Sequence, residues 1–365
     1  ELPDVETNDD VSWSVKRILD RFNEPIKVGQ QTVFLSCRVG AALYPLDGED
    51  TLTLSRNAGI AMRRALLDGT LDALRFYSAD MVQISFRTLE IETGIREALL
   101  ANQFQLVFQP IVNANDTSLR GAETLLRCTS DRLKSLRIDQ IIEIAERTSL
   151  IADIDMWVVT NALHQMQVWN QSGIYLPKIS INLSANQITS PDFMDLVLEK
   201  IKAAPFSPSR VQIEVTETAK MGGLEVAAQQ LKRLQDIGVH VALDDFGTGQ
   251  ASLTYVKRLH PDVIKIDRSF VDGVNKNHAN ATMVAAVTAM AHSLGVTIVA
   301  EGVETQEELE FLRHIRCDDI QGYFISKPIP AKAMQDWMIT KGAMRSRTAV
   351  SHTDMKASLA GGQAA

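Results

Sequence analysis

The chain has 365 residues, 45% of them hydrophobic, and a formal net charge of -8. This length suits two domains of roughly 100–200 residues each. The acidic balance argues against a protein that holds a nucleic-acid polymer on a basic surface. It still allows one small anionic substrate held by metal ions.

Cysteine and histidine usage argues against two further classes. Cys37, Cys128 and Cys317 are far apart and form no CxxC pair, and no histidines are spaced as HxH or HExxH. A disulfide scaffold and a zinc ribbon are therefore disfavoured, and a reducing compartment, the cytoplasmic side, is expected.

The sequence shows no signal peptide, and its longest apolar stretch is better explained by a buried helix and strand than by a membrane span. Residues 282–300 contain His292, Ser293 and Gly295, a pattern typical of a buried helix followed by a strand. Because residue 1 is Glu, we expect a fragment. Membrane attachment is expected only if a missing upstream region supplies an anchor.

Residues 1–87 are predicted to form a small, partial α+β segment. The predicted elements are a helix over 11–22, a strand over 32–43, a turn over 44–48, a helix over 52–67 and a strand over 74–77. A linker helix is predicted within 88–103.

From residue 104 to 340, short apolar runs alternate with helical patterns. Strands are predicted over 104–111, 121–128, 178–184, 210–217, 240–246, 263–268, 297–301 and 320–325. Helices are predicted over 153–170, 191–203, 223–236, 279–294 and 305–315. The alternation predicts an α/β fold, a TIM-type (β/α)8 barrel. A doubly wound open sheet is the alternative, but no glycine-rich phosphate loop follows the first strand. Residues 341–365 are predicted to be a disordered C-terminal tail.

Acidic and amide side chains recur near the predicted C-terminal ends of these strands. They are Glu123, Asn182, Glu214, Glu217, Asp244, Asp245, Asp267, Glu301, Glu304 and Gln321, with Lys265 among them. Burying several carboxylates together is costly unless cations neutralise them. Oxygen ligands suit Mg²⁺ or Mn²⁺, and the C-terminal face of a barrel is where such enzymes place their chemistry.

Taken singly, each residue has an ordinary interpretation. Glu123 alone would be a solvated strand-end carboxylate, and Asn182 a turn residue. Asp244 and Asp245 point to opposite faces in a regular strand, so both can serve one site only if the chain curls there. The following Phe246, Gly247, Thr248 and Gly249 supply a flexible exit. The joint placement on successive strands favours a metal site.

Seven ordered motifs between residues 104 and 340 resemble the EAL domain family. They are Gln109–Ile111 with Gly121–Arg127, where Glu-Thr-Leu stands at the signature triplet, then Asn182–Ser184, Glu214–Glu217, Asp244–Gly249, Lys265–Asp267, Ala300–Glu304 and Gln321–Tyr323. The resemblance implies an EAL-type barrel that hydrolyses the bacterial messenger cyclic di-GMP.

The resemblance also implies residue roles. It places direct metal ligands at Glu123, Asn182, Glu214 and Asp244, and completes a site for two Mg²⁺ or Mn²⁺ ions with Asp245 and Glu301. Catalytic roles fall on Lys265, Glu301 and Glu217, the last as the residue that fixes the loop Phe246–Gly249. Gln109, Arg127 and Gln321 match positions around the substrate. A homodimer through the EAL domain is also implied.

Several positions depart from the family pattern. Thr124 replaces the usual alanine and is expected to be tolerated because it points away from Glu123. Residues 11–85 resemble the C-terminal half of a GGDEF domain, through Val39–Pro45 and Asn57–Met62, but no GGDEF signature occurs. This segment is expected to be degenerate and inactive as a cyclase.

Three functions follow as hypotheses. The first is two-metal hydrolysis of cyclic di-GMP to linear pGpG. The second is a catalytically inactive receptor that binds cyclic di-GMP and signals to a partner. The third is an unrelated metal-dependent barrel enzyme of the aldolase or enolase type, which the Asp244–Gly249 segment disfavours through the resemblance.

Overall fold

The computed structural model describes residues 8–22, 25–28, 31–33, 37–67, 74–216, 223–248 and 252–340. The chain divides between Arg96 and Glu97 into two compact units. The predicted tail over 341–365 lies outside the described residues.

The first unit contains short strands and amphipathic helices. Its elements are α1 (Asn8–Phe22), β1 (Ile26–Val28), β2 (Gln31–Val33), β3 (Val39–Ala41), α2 (Thr51–Leu67), β4 (Leu74–Phe76) and most of α3 (Asp80–Leu100). Val11, Val15 and Leu19 recur at a spacing of four, so they lie on one face of α1 and pack against β3 and β4. The described part of the predicted strand over 32–43 contains the end of β2 and all of β3, and residues 34–36 lie outside the described residues. The predicted linker helix begins earlier, at Asp80.

The second unit is a closed barrel of eight strands, which confirms the predicted fold class. The strands are β5 (Phe104–Asn113), β6 (Leu119–Cys128), β7 (Ile179–Asn182), β8 (Val211–Thr216), β9 (His240–Phe246), β10 (Val263–Ile266), β11 (Thr297–Ala300) and β12 (Asp319–Ile320). They pair in chain order, and β12 returns to β5 to close the sheet. A short strand, β13 (Ile329–Pro330), also pairs with β5.

Helices follow most strands and cover the outside of the barrel. They are α4 (Ile138–Arg147), α5 (Ile151–Gln171), α6 (Ala185–Ile188), α7 (Pro191–Ala203), α8 (Leu224–Asp236), α9 (Ser252–Leu259), α10 (Arg268–Val271), α11 (His278–Ser293), α12 (Gln306–His314) and α13 (Ala331–Thr340). Side-chain caps stabilise the N-termini of several of these helices. In α12, for example, Thr305 and Glu308 form a reciprocal capping box.

The first strand departs from an all-parallel barrel. β5 runs antiparallel to both neighbours, β6 and β12. A short turn joins β5 to β6, with Asn113 Oδ1 accepting from the backbone N–H groups of Asn115 and Asp116. This tight hairpin replaces the helical crossover that a parallel pair needs.

The eighth strand is much shorter than predicted. The prediction placed it over 320–325, but β12 ends at Ile320 and the chain then turns. The turn is held by backbone hydrogen bonds from Phe324 N to Val303 O and from Ser326 N to Gly322 O. Gly322 allows this close approach because it has no Cβ.

None of the helices in the described ranges is both long and apolar enough to cross a membrane.

Gly322 generates the first prediction. A Cβ built there would lie 2.1 Å from Val303 O and 2.3 Å from Val303 N. Gly322→Ala should therefore lower the free energy of unfolding by about 3 kcal/mol, because backbone must move. Gly173→Ala is the control, since its Cβ meets nothing within 4 Å and only its φ of +74° opposes alanine. That variant should lose about 1 kcal/mol. If urea unfolding showed equal losses of stability for Gly322→Ala and Gly173→Ala, the steric argument would be contradicted.

Candidate metal centre

A buried lysine lies at the centre of the acidic residues in the barrel. Lys265 on β10 is fully buried, and its Nζ lies 2.7 Å from Glu214 Oε2 and 2.7 Å from Glu301 Oε1. The same Nζ lies 3.1 Å from Asp244 Oδ1 and 3.6 Å from Glu123 Oε2. Side chains from β6, β8 and β9, and one that directly follows β11, thus converge on one ammonium group.

A β-bulge explains how two adjacent aspartates face one site. The register between β9 and β10 shifts between Ile264 and Ile266, so one extra residue is inserted in β9. Asp245 lies at this irregularity with φ +54°, in the left-handed region that aspartate tolerates better than most residues. The sequence predicted a curl where the strand ends. The structure places the distortion one residue earlier, because β9 continues to Phe246.

Amide side chains surround Glu123. Asn182 Nδ2 donates to Glu123 Oε1 at 2.9 Å, and Gln321 Nε2 donates to Glu123 Oε2 at 2.5 Å. Gln321 Nε2 also donates to Gln109 Oε1 at 3.1 Å. Glu123 and Gln109 are direct cross-strand partners in the β5–β6 hairpin. These bonds fix the carboxylate of Glu123 in the barrel mouth.

When all of its carboxyl groups are ionised, the acidic site carries more negative charge than Lys265 can balance. Burial acts to lower the pKa of Lys265, but the surrounding carboxylates, Asp244 first, outweigh it and raise that pKa well above its usual value. Burial raises the pKa of Glu214 to about 7, against the opposing effect of Lys265. Burial, with repulsion from Asp244, raises the pKa of Asp245 to about 6. With all carboxyl groups ionised, the site needs further positive charge to neutralise it.

Two sets of carboxylates fit divalent cations. Glu123, Glu214 and Asp244 form one set, and Asp244, Asp245 and Glu301 form the other. Within each set, one oxygen per residue lies within 4.8 Å of the others. All-oxygen ligands and unbalanced negative charge suit hard cations such as Mg²⁺ and Mn²⁺. Asp244 belongs to both sets, so two neighbouring ions could share it as a ligand.

The remaining predicted residues fall in different places. Phe246 is buried, Gly247 has φ +105° and Thr248 is exposed, so the start of the predicted loop is a turn. Glu217 and Gly249 lie outside the described residues. Arg127 lies four residues beyond Glu123 on β6, roughly 13 Å along the strand, and its Nη1 donates to Leu126 O. It is therefore outside the carboxylate group.

The structure adds Gln212 to this group of residues. It is buried below Glu214 on β8, and its Nε2 donates to Glu214 Oε1 and to Ser180 Oγ, both at 3.0 Å. The motif analysis missed it, although its two-residue spacing from Glu214 places both side chains on the same face of the strand.

Asp155 on α5 is a second residue that the motif analysis missed. Its Oδ2 accepts from the backbone N–H and the hydroxyl of Ser184, which fixes the chain just after Asn182. Asp155 lies within a predicted helix, and the helical pattern does not indicate its contact with Ser184.

Thr124 is a departure with a visible structural consequence. Its side chain is buried, and Oγ1 has no hydrogen-bond partner. The residue is accommodated, but its hydroxyl is desolvated without compensation, a small cost that alanine would avoid.

The fold and the site together define a barrel with a candidate acidic metal centre at the C-terminal ends of its strands. The profile of the EAL domain family matches residues 93–328. The chain belongs to the EAL domain family. The GGDEF-like resemblance of residues 11–85 lies outside this match and stays a prediction.

Relatives and solved structures agree with this membership. The chain is 32% identical over 337 residues to a protein named cyclic di-GMP phosphodiesterase NbdA from Pseudomonas aeruginosa, covering 92% of this chain and 43% of that protein. It is 31% identical over 321 residues to cyclic di-GMP phosphodiesterase PdeR from Escherichia coli, covering 88% and 48% respectively. The chain therefore spans less than half the length of these relatives.

Among solved structures, the PaMucR phosphodiesterase in complex with c-di-GMP is 35% identical, with a TM-score of 0.63. That match covers 67% of this chain and 99% of the other. The EAL domain of DcpA from Mycobacterium smegmatis is 29% identical with a TM-score of 0.56, covering 65% and 96%.

Asp155 generates a prediction about pH. Burial raises its pKa from 3.8 to about 7, so the folded protein keeps this proton to a higher pH than the unfolded chain does. The wild type should therefore lose stability as pH rises from about 4 to about 7. Asp155→Asn keeps an acceptor for Ser184 but does not titrate. Its stability relative to wild type should rise through this window by up to about 4 kcal/mol and then level off.

Urea unfolding at half-unit pH steps measures this difference. Asp153→Asn, which removes an exposed carboxylate from the same helix, is the matched control and should show a smaller change. A pH-independent difference between Asp155→Asn and wild type would contradict the assignment.

Proposed function

We propose that this chain hydrolyses cyclic di-GMP to linear pGpG with two Mg²⁺ or Mn²⁺ ions, and so lowers signalling by this messenger. The observation that carries the proposal is the pair of carboxylate sets that share Asp244. Membership of the EAL family and the likeness to proteins named cyclic di-GMP phosphodiesterases support the choice of substrate.

Glu123, Asn182, Glu214 and Asp244 would hold the ions directly, and Asp245 and Glu301 would complete their coordination. Divalent ions bound there supply Lewis-acid charge and lower the pKa of water, which makes an attacking hydroxide available near neutral pH. Gln321 and Asn182 keep the Glu123 carboxylate oriented through their hydrogen bonds. Gln212 does the same for Glu214 from below.

Lys265 would be the charged donor at the reacting phosphate. In hydrolysis, water oxygen bonds to phosphorus, the bond from phosphorus to the 3′ oxygen breaks, and that oxygen gains a proton. Negative charge rises on the phosphoryl oxygens, and a buried ammonium stabilises it strongly because little water screens the site. Glu301, in contact with Lys265, is suited to hold a proton or a water molecule. Gln109 and Arg127 would contact the rest of the substrate.

A receptor that binds cyclic di-GMP without cleaving it is the second candidate. Such a protein needs the substrate contacts but not the complete ligand sets. The described residues include both carboxylate sets and Lys265, which favours catalysis. Glu217 lies outside the described residues, and its role in fixing the loop Phe246–Gly249 rests on the family resemblance.

The activity prediction compares wild type with Lys265→Met and Glu123→Gln. With Mn²⁺ and cyclic di-GMP, the wild type should release pGpG, detected by chromatography. Each variant should lose at least about 100-fold in rate, because one removes the buried cation and the other a proposed ligand. Lys202→Met, at an exposed lysine on α7, is the control and should keep its rate. Tight binding without pGpG from the wild type would favour the receptor.

Ion stoichiometry gives a separate prediction. Because Asp244 is common to both sets, Asp244→Asn should weaken both Mn²⁺ sites, whereas Glu123→Gln should weaken one. Manganese titration followed by electron paramagnetic resonance should give two ions for wild type. A single ion in the wild type, or two intact sites in Asp244→Asn, would argue against shared coordination.

The proposal has three further parts. The chain forms a homodimer through the EAL domain, it lies on the cytoplasmic side, and residues 1–87 are a degenerate GGDEF-like segment. Light scattering of the purified chain measures the first: the predicted mass is twice 40.3 kDa.

A further inference from the structure

A cavity opens at the opposite end of the barrel from the carboxylates. Its volume is about 940 Å³, and it lies where strands β9, β10 and β11 begin and helices α9 and α11 end. His240 opens β9, whereas Asp244 lies four residues further along the same strand, roughly 13 Å away. The cavity is therefore separate from the proposed metal centre.

Basic side chains outnumber acidic ones on its lining. Lys178, His240, Lys257 and His260 line it together with one carboxylate, Asp262. Asp262 is already engaged: its Oδ2 accepts from Val241 N at 2.8 Å and from Gln235 Nε2 at 3.2 Å. Burial lowers the pKa of His240, so the cavity combines lysine ammonium groups with imidazole N–H donors.

Lys178 is the less exposed of the two lysines in the lining. It is partly buried, and no carboxylate of the described residues lies within ion-pair distance of it. Its Nζ has a long hydrogen bond of 3.5 Å to Gln212 Oε1. Burial lowers the pKa of Lys178, although distant carboxylates, Asp319 first, act to raise it. An anion beside this amine would offset its desolvation.

The opposite lining is apolar. Val256, Met290, Leu294 and Val296 contribute to it, and Leu294 is 57% exposed at the rim. The C-terminal carbonyls of α11, which would repel an anion, accept hydrogen bonds from the N–H groups of Leu294, Gly295 and Val296. A volume of this size is within the range of pockets for small molecules, which combine apolar surface with a few polar groups.

We propose that this cavity binds a small organic anion, with its acidic group at Lys178 and His240 and its apolar or aromatic body against Met290, Leu294 and Val296. The acidic group can be a carboxylate, a phosphate or a sulfonate, since each is a strong acceptor for an ammonium group.

The cavity is connected to the carboxylate centre by hydrogen bonds. Lys178 contacts Gln212, and Gln212 in turn donates to Glu214. An anion that draws the Lys178 ammonium toward itself removes a donor from Gln212. One side chain, Gln212, thus separates the proposed anion site from Glu214.

The test uses 1-anilinonaphthalene-8-sulfonate as an anionic aromatic probe with the full chain, without metal. Probe fluorescence should rise and saturate at one probe per chain. Lys178→Met should weaken binding about tenfold or more, because a charge-assisted hydrogen bond is lost, while Lys178→Arg should retain most of it. Lys202→Met is the matched lysine control on α7 and should bind as wild type does.

Two further measurements distinguish the site from a nonspecific apolar surface. Leu294→Trp, which fills the cavity from its exposed rim, should abolish saturable binding while circular dichroism stays unchanged. N-phenyl-1-naphthylamine, which lacks the sulfonate, should bind more weakly and should not respond to Lys178→Met. Unchanged sulfonate binding in folded Lys178→Met and Leu294→Trp, or equal binding of the two probes, would overturn the proposal. Because no metal or hydrolysis is involved, this result is independent of the proposed function.

Discussion

The ion cluster around Lys265 is the constraint on which the rest of the barrel mouth depends. Four carboxylates contact one fully buried ammonium group, and Asp245 adds a fifth negative charge close by. Removing such charges from water costs several kcal/mol per ion unless the pairing is complete. With one lysine the pairing is incomplete. This arrangement is unfavourable in a dry core and fits a centre that binds divalent cations.

The backbone brings these groups together in three different ways. Parallel strands β8 and β10 supply Glu214 and Lys265, and Glu301 directly follows the neighbouring parallel strand β11. The bulge in β9 lets Asp244 and Asp245 serve the same region. The antiparallel β5–β6 hairpin extends five residues beyond Glu123, so this carboxylate lies in mid-strand and is covered by amides rather than exposed at an end. The bulge and the hairpin each bring a side chain to the group that a regular parallel strand would present elsewhere.

The sequence predicted what local patterns control. Alternating apolar runs located seven of the eight barrel strands to within a few residues, and the acidic positions pointed to one face. It did not predict the antiparallel first strand, because strand direction depends on how the barrel closes. It overextended the eighth strand, where Gly322 packs against Val303 from a distant part of the chain. Gln212, Asp155 and Lys178 act through contacts across strands or onto a helix, which motif spacing does not contain.

The central claim is that divalent cations, rather than Lys265 alone, neutralise the acidic mouth. Anomalous diffraction from crystals soaked in manganese tests it most directly. We expect two peaks that share Asp244, with Glu123 and Glu214 on one side and Asp245 and Glu301 on the other. Absence of both peaks at saturating manganese, with the carboxylates still gathered on Lys265 or turned apart, would contradict the account.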